Sequence, residues 1–257
     1  MISALLYHKT LLLSSINLID TFENIVYYSF MDTIERIEFV ITYACTGRCR
    51  HCSQGEHSNR GKVIDADAAA ETVRNVTGKH KIRSLMTFGG EALLYPEAVY
   101  RIHSVARKLR IGKRQLITNG FFSRDKGYIK QVAYRLFECG INDLLLSVDA
   151  FHDECIPLEY VRLFADECLK NSIPIRLNPA WLGSYDNHNS YNTRTRQIIA
   201  EFKEMGIAEG GGNIVFPKGN ALKYFPEYFD GKSYDPYEDN RTVCFDPDSD
   251  LKGVFYQ

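Results

Sequence analysis

From Ile34 onward the chain alternates between short apolar runs and longer stretches in which apolar residues recur every three to four positions. The short runs predict strands at 37–42 (IEFVIT), 82–88 (IRSLMTF), 114–118 (RQLIT), 143–148 (DLLLSV), 173–178 (IPIRLN) and 213–216 (NIVF). The longer stretches predict helices at 66–77, 96–110, 126–139, 157–170 and 192–205. Two of these end as helices commonly do, on glycine, in Cys139-Gly140 and Met205-Gly206. The first 30 residues are apolar and aromatic but keep neither period, so residues 1–33 are set apart as an N-terminal extension with no predicted element.

Strand-then-helix repetition with near-continuous apolar strands implies a parallel sheet, helices on its outside and right-handed crossovers. Six such units predict an α/β fold of the partial (β/α)6, TIM-like barrel kind, one that stops short of closure. An open Rossmann-type sheet competes, but no Gly-x-Gly-x-x-Gly opens any predicted helix. In either architecture ligands bind at the C-terminal ends of the strands. The core is expected over 34–222, and the turn-rich residues 223–257 form a C-terminal tail.

Charge narrows the partners. Thirty-one Lys+Arg stand against 32 Asp+Glu in 257 residues, a formal net charge of -1. Neither nucleic acid nor an anionic membrane is therefore expected as a partner. No uncharged apolar run approaches the roughly 18 residues of a spanning helix. The N-terminus resembles a secretory signal only weakly, because Lys9 lies inside the apolar stretch and no small-residue cleavage site follows. A cytoplasmic location is expected. Seven cysteines are an odd number in a chain too long to need disulfide staples.

Three of those cysteines follow the first strand, in Tyr43-Ala-Cys45-Thr-Gly-Arg-Cys49-Arg-His-Cys52, a Cys-x3-Cys-x2-Cys run. Three thiolates on one short loop can face a single metal centre and leave one coordination position without a protein ligand. The spacing favours a [4Fe–4S] cluster with one open iron. Structural zinc is the alternative, with His51 or His57 as fourth ligand. After the second strand comes Thr87-Phe88-Gly89-Gly90-Glu91. The glycines let backbone approach a ligand closely, and the carboxylate is an acceptor for an ammonium group. Alone, the same residues read as a tight strand-to-helix turn.

Together, in this order and on consecutive strands, these loops resemble the radical S-adenosylmethionine (radical SAM) superfamily over roughly residues 35–220. Ala92 departs from the pattern, standing where proline is common. The resemblance implies that Cys45, Cys49 and Cys52 ligate three irons while S-adenosylmethionine chelates the fourth. It implies that Gly89, Gly90 and Glu91 receive the methionyl amine, and that Asn119, at the end of strand three, lies near the cofactor. Ser147 and Asp149, ending strand four, would hold its ribose or carboxylate, with a cap on the next helix as the lesser alternative for Asp149. Arg176 could pair the methionyl carboxylate or be a surface strand residue. The segment Asn213 to Ala221, with Phe216 in it, would run against adenine. The implied chemistry is reductive cleavage of the sulfonium and hydrogen abstraction by a 5′-deoxyadenosyl radical, with electrons from a reductant such as flavodoxin or ferredoxin.

His152 follows the end of strand four and is a candidate catalytic acid or base, against the commoner reading of a hydrogen-bonded loop histidine. Cys139, Cys155 and Cys168 read as buried thiols on or beside helices. The aromatic run 224–229 reads as the edge of the core. Asp246, Asp248 and Asp250 alternate like the start of a calcium loop but lack its glycine and distal glutamate. Cys244-Phe-Asp-Pro-Asp resembles the opening of the auxiliary-cluster (SPASM-type) domain of radical SAM enzymes that modify peptides and proteins, which would make a peptide or protein the substrate; either this chain is then a truncated form or the tail is only a cap over the barrel. The alternatives are a small-metabolite enzyme and a non-catalytic cluster-binding module.

Overall fold

In a computed structural model, residues 34–58, 60–229, 242–249 and 251 are described, and the N-terminal extension 1–33 lies outside them. The chain runs β1 (Arg36–Val40), α1 (Ala66–Lys79), β2 (Ser84–Phe88), a 3-10 turn (Ala92–Leu94), α2 (Pro96–Lys108), β3 (Lys113–Thr118), α3 (Lys126–Cys139) and β4 (Asp143–Leu146). It continues through a single-turn α4 (Ala150–Asp153), α5 (Leu158–Lys170), β5 (Ile175–Leu177), β6 (Ala180–Trp181), α6 (Ser190–Glu204), β7 (Ala208–Glu209), β8 (Asn213–Ile214), α7 (Asn220–Tyr224) and β9 (Thr242–Phe245).

Polar caps set where the helices begin. Asp65 accepts from the amides of Asp67 and Ala68, Asp125 from Gly127 and Tyr128, and Asn189 from Asn192. Each such cap is worth about 1 kcal/mol. At the other end of α3, Gly140 adopts the left-handed conformation expected of it, at φ 92°.

Seven strands form one parallel sheet in the order β7-β5-β4-β3-β2-β1-β9. Register lays Phe39, Thr87, Leu116, Leu144 and Ile175 in one row and Glu38, Met86, Gln115 and Asp143 in the next. Successive strand residues face opposite ways. The first row joins the helices in a core with Val73, Val99, Ile102, Val132, Leu136 and Phe164. The second row lines the concave face, and its groups are tied laterally. Arg36 donates to Glu38 (2.5 Å) and Gln115 (3.0 Å), Gln115 to Asp143 (2.7 Å), and Arg176 to both Asp143 oxygens (2.8 and 3.0 Å). The concave face is thus polar low in the sheet, with its polar groups paired to one another.

The sixth strand differs from the sequence expectation. Ala208–Glu209 takes the place beside β5, whereas Asn213–Ile214 pairs with Ala180–Trp181 in a separate two-stranded sheet. Between them lies Gly210-Gly211-Gly212. Gly210 donates to the Leu177 carbonyl and Asn213 to that of Pro179, so the chain folds over the end of β5 and changes sheets. Residues without a β-carbon permit that passage. The tail also contributes: β9 pairs with β1, and Phe245 stacks on Phe39 at 5.5 Å. Asp250, of the alternating aspartates, lies outside the described residues. Among those described, no helix is long and apolar enough to cross a membrane.

Candidate active site

Beyond β1 the backbone turns over the top of the sheet, carrying the three clustered cysteines. Cys45 takes its position from an amide bond to the Ser58 carbonyl (2.9 Å), and Cys52 from one to Cys49 (3.2 Å). All three side chains are free thiols and line one cavity of about 240 Å³ at the C-terminal ends of the strands. Two of the sulfurs already have polar neighbours. Cys45 Sγ accepts from Gly47 N (3.3 Å) and lies 3.6 Å from Asn119 Nδ2. Cys49 Sγ lies 3.5 Å from the sulfur of Cys155. His57 donates from Nδ1 to the Tyr43 carbonyl (2.7 Å), leaving Nε2 to accept from the Cys52 thiol at 3.1 Å. Burial pushes the Cys45 thiol up to about 12, with the Glu91 charge adding to it, and raises Cys52 as well. Anionic sulfur here needs a cation beside it.

The Gly89-Gly90 turn forms the adjacent wall. Gly90 N donates to Thr42 O and Glu91 N to Ala44 O, both at 2.7 Å, so the end of β2 is laced to the root of the cysteine loop. A β-carbon on Gly90 would sit 2.2 Å from Ala44 O, which explains the glycine. Glu91 does not reach the cavity. Its fully buried carboxylate caps the 3-10 turn through Leu93 N (2.8 Å) and binds Thr118 Oγ1 (2.7 Å) and Asn119 N (2.8 Å). Burial raises its pKa to about 7 against the pull of those donors. Glu91 organises the ends of β2 and β3, and the glycine backbone alone fronts the cavity. Ala92, where proline is common, is buried as the first residue of that turn.

Asp149 is both cap and hub. Its Oδ1 accepts from Phe151 N (3.0 Å), His152 N (3.1 Å) and His152 Nδ1 (2.8 Å), and Oδ2 accepts from Ala180 N (2.9 Å). Burial would raise this carboxyl, but the His152 ring holds it well below the usual carboxylate range. Burial would lower His152, and the Asp149 charge overrides it and raises the imidazole above its ordinary value. His152 lines the cavity with its Nδ1 proton committed to Asp149, which leaves Nε2 for other partners. His51, Asp149 and His152 bring ligand-type atoms within 4.8 Å of one another. Both Asp149 oxygens are already filled by protein donors, so this trio is a hydrogen-bonded hub rather than a metal cradle.

Ser147, Asn119 and Phe216 also line the cavity. Arg176 does not: it stands in register with Leu145, and its guanidinium is held by both oxygens of Asp143. The expected pairing of Arg176 with a methionyl carboxylate finds no geometry here.

A family model described as the Radical SAM superfamily matches residues 39–230. The chain belongs to the radical SAM superfamily. Its fold is shared with solved structures of anSMEcpe with bound AdoMet (17% identity, 70% of this chain and 51% of that one, TM-score 0.51) and of HydG, a maturase of the [FeFe]-hydrogenase (14% identity, 74% and 44%, TM-score 0.52). The chain thus spans about half the length of these structures. No curated protein matches it.

Radical SAM proteins bind a [4Fe–4S] cluster and S-adenosylmethionine. The residues present fit that pair: three thiols of one loop whose burial calls for compensating cations, beside a glycine backbone that lines the same cavity and packs too closely on Thr42 and Ala44 to carry a β-carbon. Several contributors carried no signal in the sequence of this radical SAM chain. Cys155 arrives at Cys49 only through the fold. Asn220 bonds the carbonyls of Cys52 (2.9 Å, through its amide) and Cys49 (3.3 Å, through Nδ2), clamping α7 onto the cysteine loop. Gly219 before it would place a β-carbon 2.6 Å from Ser53 O. Behind the clamp, Phe225 is buried with Cys49, Phe151 and Val215, so the aromatic run does form an edge of core.

Proposed function

We propose that Cys45, Cys49 and Cys52 hold the cluster of this radical SAM enzyme, that Gly89 and Gly90 receive the amino-acid end of S-adenosylmethionine, and that the substrate is a peptide or protein side chain. The observation that carries the site assignment is the convergence of the three free thiols and the Gly89-Gly90 backbone on one cavity at the strand ends. When bound, the cluster and the sulfonium supply a 5′-deoxyadenosyl radical. The chain supplies the rest. Ser147 presents a hydroxyl to the cavity for the nucleoside or carboxylate oxygens of the cofactor, Asn119 lines the same wall with its amide turned to Cys45 and Thr46, and Phe216 offers a flat apolar surface for adenine. Asp149 fixes the His152 tautomer, so that Nε2 can hold or release a proton on the substrate side.

Support for a peptide substrate comes from the segment Pro217-Lys-Gly-Asn-Ala221 and the Cys244 run, both similar to peptide-modifying members of the superfamily. In this reading a reductant of the flavodoxin or ferredoxin type supplies the electron. The test is anaerobic reconstitution followed by reduction with dithionite in the presence of S-adenosylmethionine. Release of 5′-deoxyadenosine by the wild type, and none by a Cys45/Cys49/Cys52→Ala variant, is expected. An intact cluster that leaves S-adenosylmethionine uncleaved would refute the catalytic reading.

A further inference from the structure

We infer that Cys155 is a positioning residue for the cluster: its thiol donates a hydrogen bond to the sulfur of Cys49 and thereby raises the cluster's reduction potential. This rests on the assignment of Cys49 as an iron ligand.

Cys155 lies two residues beyond α4, the single helical turn capped by Asp149, and its amide bonds to His152 O at 3.0 Å. That turn brings its sulfur to 3.5 Å from Cys49 Sγ, across 106 residues of sequence. The cysteine loop reaches back in turn. Arg48 N donates to Cys155 Sγ at 3.3 Å, so the backbone one residue before Cys49 orients the thiol that faces Cys49. With a lone pair of Cys155 engaged by Arg48, its proton has two acceptors within reach, Cys49 Sγ at 3.5 Å and Phe151 O at 3.5 Å. Iron ligation makes Cys49 a thiolate, and a charged acceptor at equal distance wins over a neutral carbonyl. The order is then Arg48 N–H to Cys155 S–H to Cys49 S⁻, a chain in which each bond strengthens the next. At 3.5 Å, the two sulfurs are too close to ligate separate irons of one cubane, so the geometry favours a donor over a fourth ligand.

Hydrogen bonds to cluster sulfurs are one of the levers on reduction potential. Reduction adds negative charge, which the donor stabilises more than it stabilises the oxidised form. Loss of this one bond is expected to change the ratio of reduced to oxidised cluster at a fixed solution potential about tenfold, or 59 mV for one electron.

The experiment measures midpoint potentials by EPR-monitored redox titration on reconstituted wild type, Cys155→Ala, Cys155→Ser and Cys168→Ala, with iron and sulfide counted on each. Cys168 is a buried core thiol on α5 and controls for generic loss of a cysteine. The expected result is a full iron count in all four proteins, a midpoint lowered by the tenfold equivalent in Cys155→Ala, a smaller drop in Cys155→Ser, whose hydroxyl still donates, and no change in Cys168→Ala. A Cys155→Ala midpoint equal to the wild type, with iron intact, overturns the inference while leaving the cluster assignment standing. Loss of iron in Cys155→Ala also overturns it, in favour of direct ligation. Iron that persists in the Cys45/Cys49/Cys52→Ala variant removes the assignment on which the inference rests.

Discussion

Replacing Gly90 by alanine tests whether the lacing of the two loops creates the site. The added β-carbon would sit 2.2 Å from Ala44 O and 2.8 Å from Tyr43 O, whereas real β-carbons essentially never come within 3.0 Å of such atoms. The two backbones must therefore part by about 0.8 Å, and neither obstacle is a flexible side chain. The bonds Gly90 N to Thr42 O and Glu91 N to Ala44 O start at 2.7 Å, so the same separation carries them to the limit of hydrogen-bond range. Two weakened bonds at about 1 kcal/mol each give a cost near 2 kcal/mol. In a chain of this size that lowers the melting temperature of the metal-free protein by about 4–8 °C. Because the displaced backbone is the wall offered to S-adenosylmethionine, affinity measured by calorimetry on the reconstituted protein should fall at least about tenfold, or 1.4 kcal/mol. Gly78→Ala is the control. It lies in α1 with nothing within 4 Å of its added carbon, and should stabilise by about 0.5–1 kcal/mol. If Gly90→Ala melts with the wild type and binds S-adenosylmethionine equally well, the loops part freely and the lacing does not shape the site.

Breaking the buried pair with Asp149→Asn should cost about 3–5 kcal/mol in urea unfolding. The Asp149 contribution exists above its ordinary 3.8 and fades as pH falls through its depressed value, while that of His152 exists below 6.5 and fades as pH rises through its elevated one. The gap between wild type and variant should hence be widest between those two values, and a gap independent of pH would count against the pair. Asn220→Ala keeps the amide bond to Cys52 but loses the side-chain bond to Cys49, a loss of about 1 kcal/mol. Chelator should strip its iron about fivefold faster, with the fold unchanged by circular dichroism. Glu91→Gln turns an amide N–H₂ toward one of three buried donors, at a cost of about 1–3 kcal/mol in unfolding free energy. If Glu91→Gln is neutral, the carboxylate is not the organiser described above.

Much of this was legible in the sequence because it depends on local rules. Helices at 126–139 and 157–170 were readable from apolar spacing, the first also from its terminal Gly140, and appear at Lys126–Cys139 and Leu158–Lys170. The Cys-x3-Cys-x2-Cys run and Gly89-Gly90 were readable because a loop that must hold metal or admit backbone tolerates few residue types. What escaped is decided by distance in three dimensions. Ile214 and Val215 are as β-prone as any strand, but the three glycines before them redirect the chain, and no propensity scale encodes which neighbour they then find. The turned-in Glu91 and the Asp143-bound Arg176 depend on which partners the fold delivers to each carboxylate and guanidinium. Cys155, as a lone cysteine in sequence, is indistinguishable from the core thiol Cys168 until α4 lifts it to the cysteine loop.

The pairing of β9 with β1 carries a consequence for the order of synthesis. Arg36 opposes Thr242, and Tyr43, at the root of the cysteine loop, bonds Asp246 at 2.7 Å. On a ribosome adding about 5–20 residues per second, the first strand waits roughly 10–40 s for its edge partner. Throughout that interval, the thiols and their flanking backbone are made but not yet fastened from that side. Vectorial translation therefore produces the cysteine loop long before the strand that fastens it on that side.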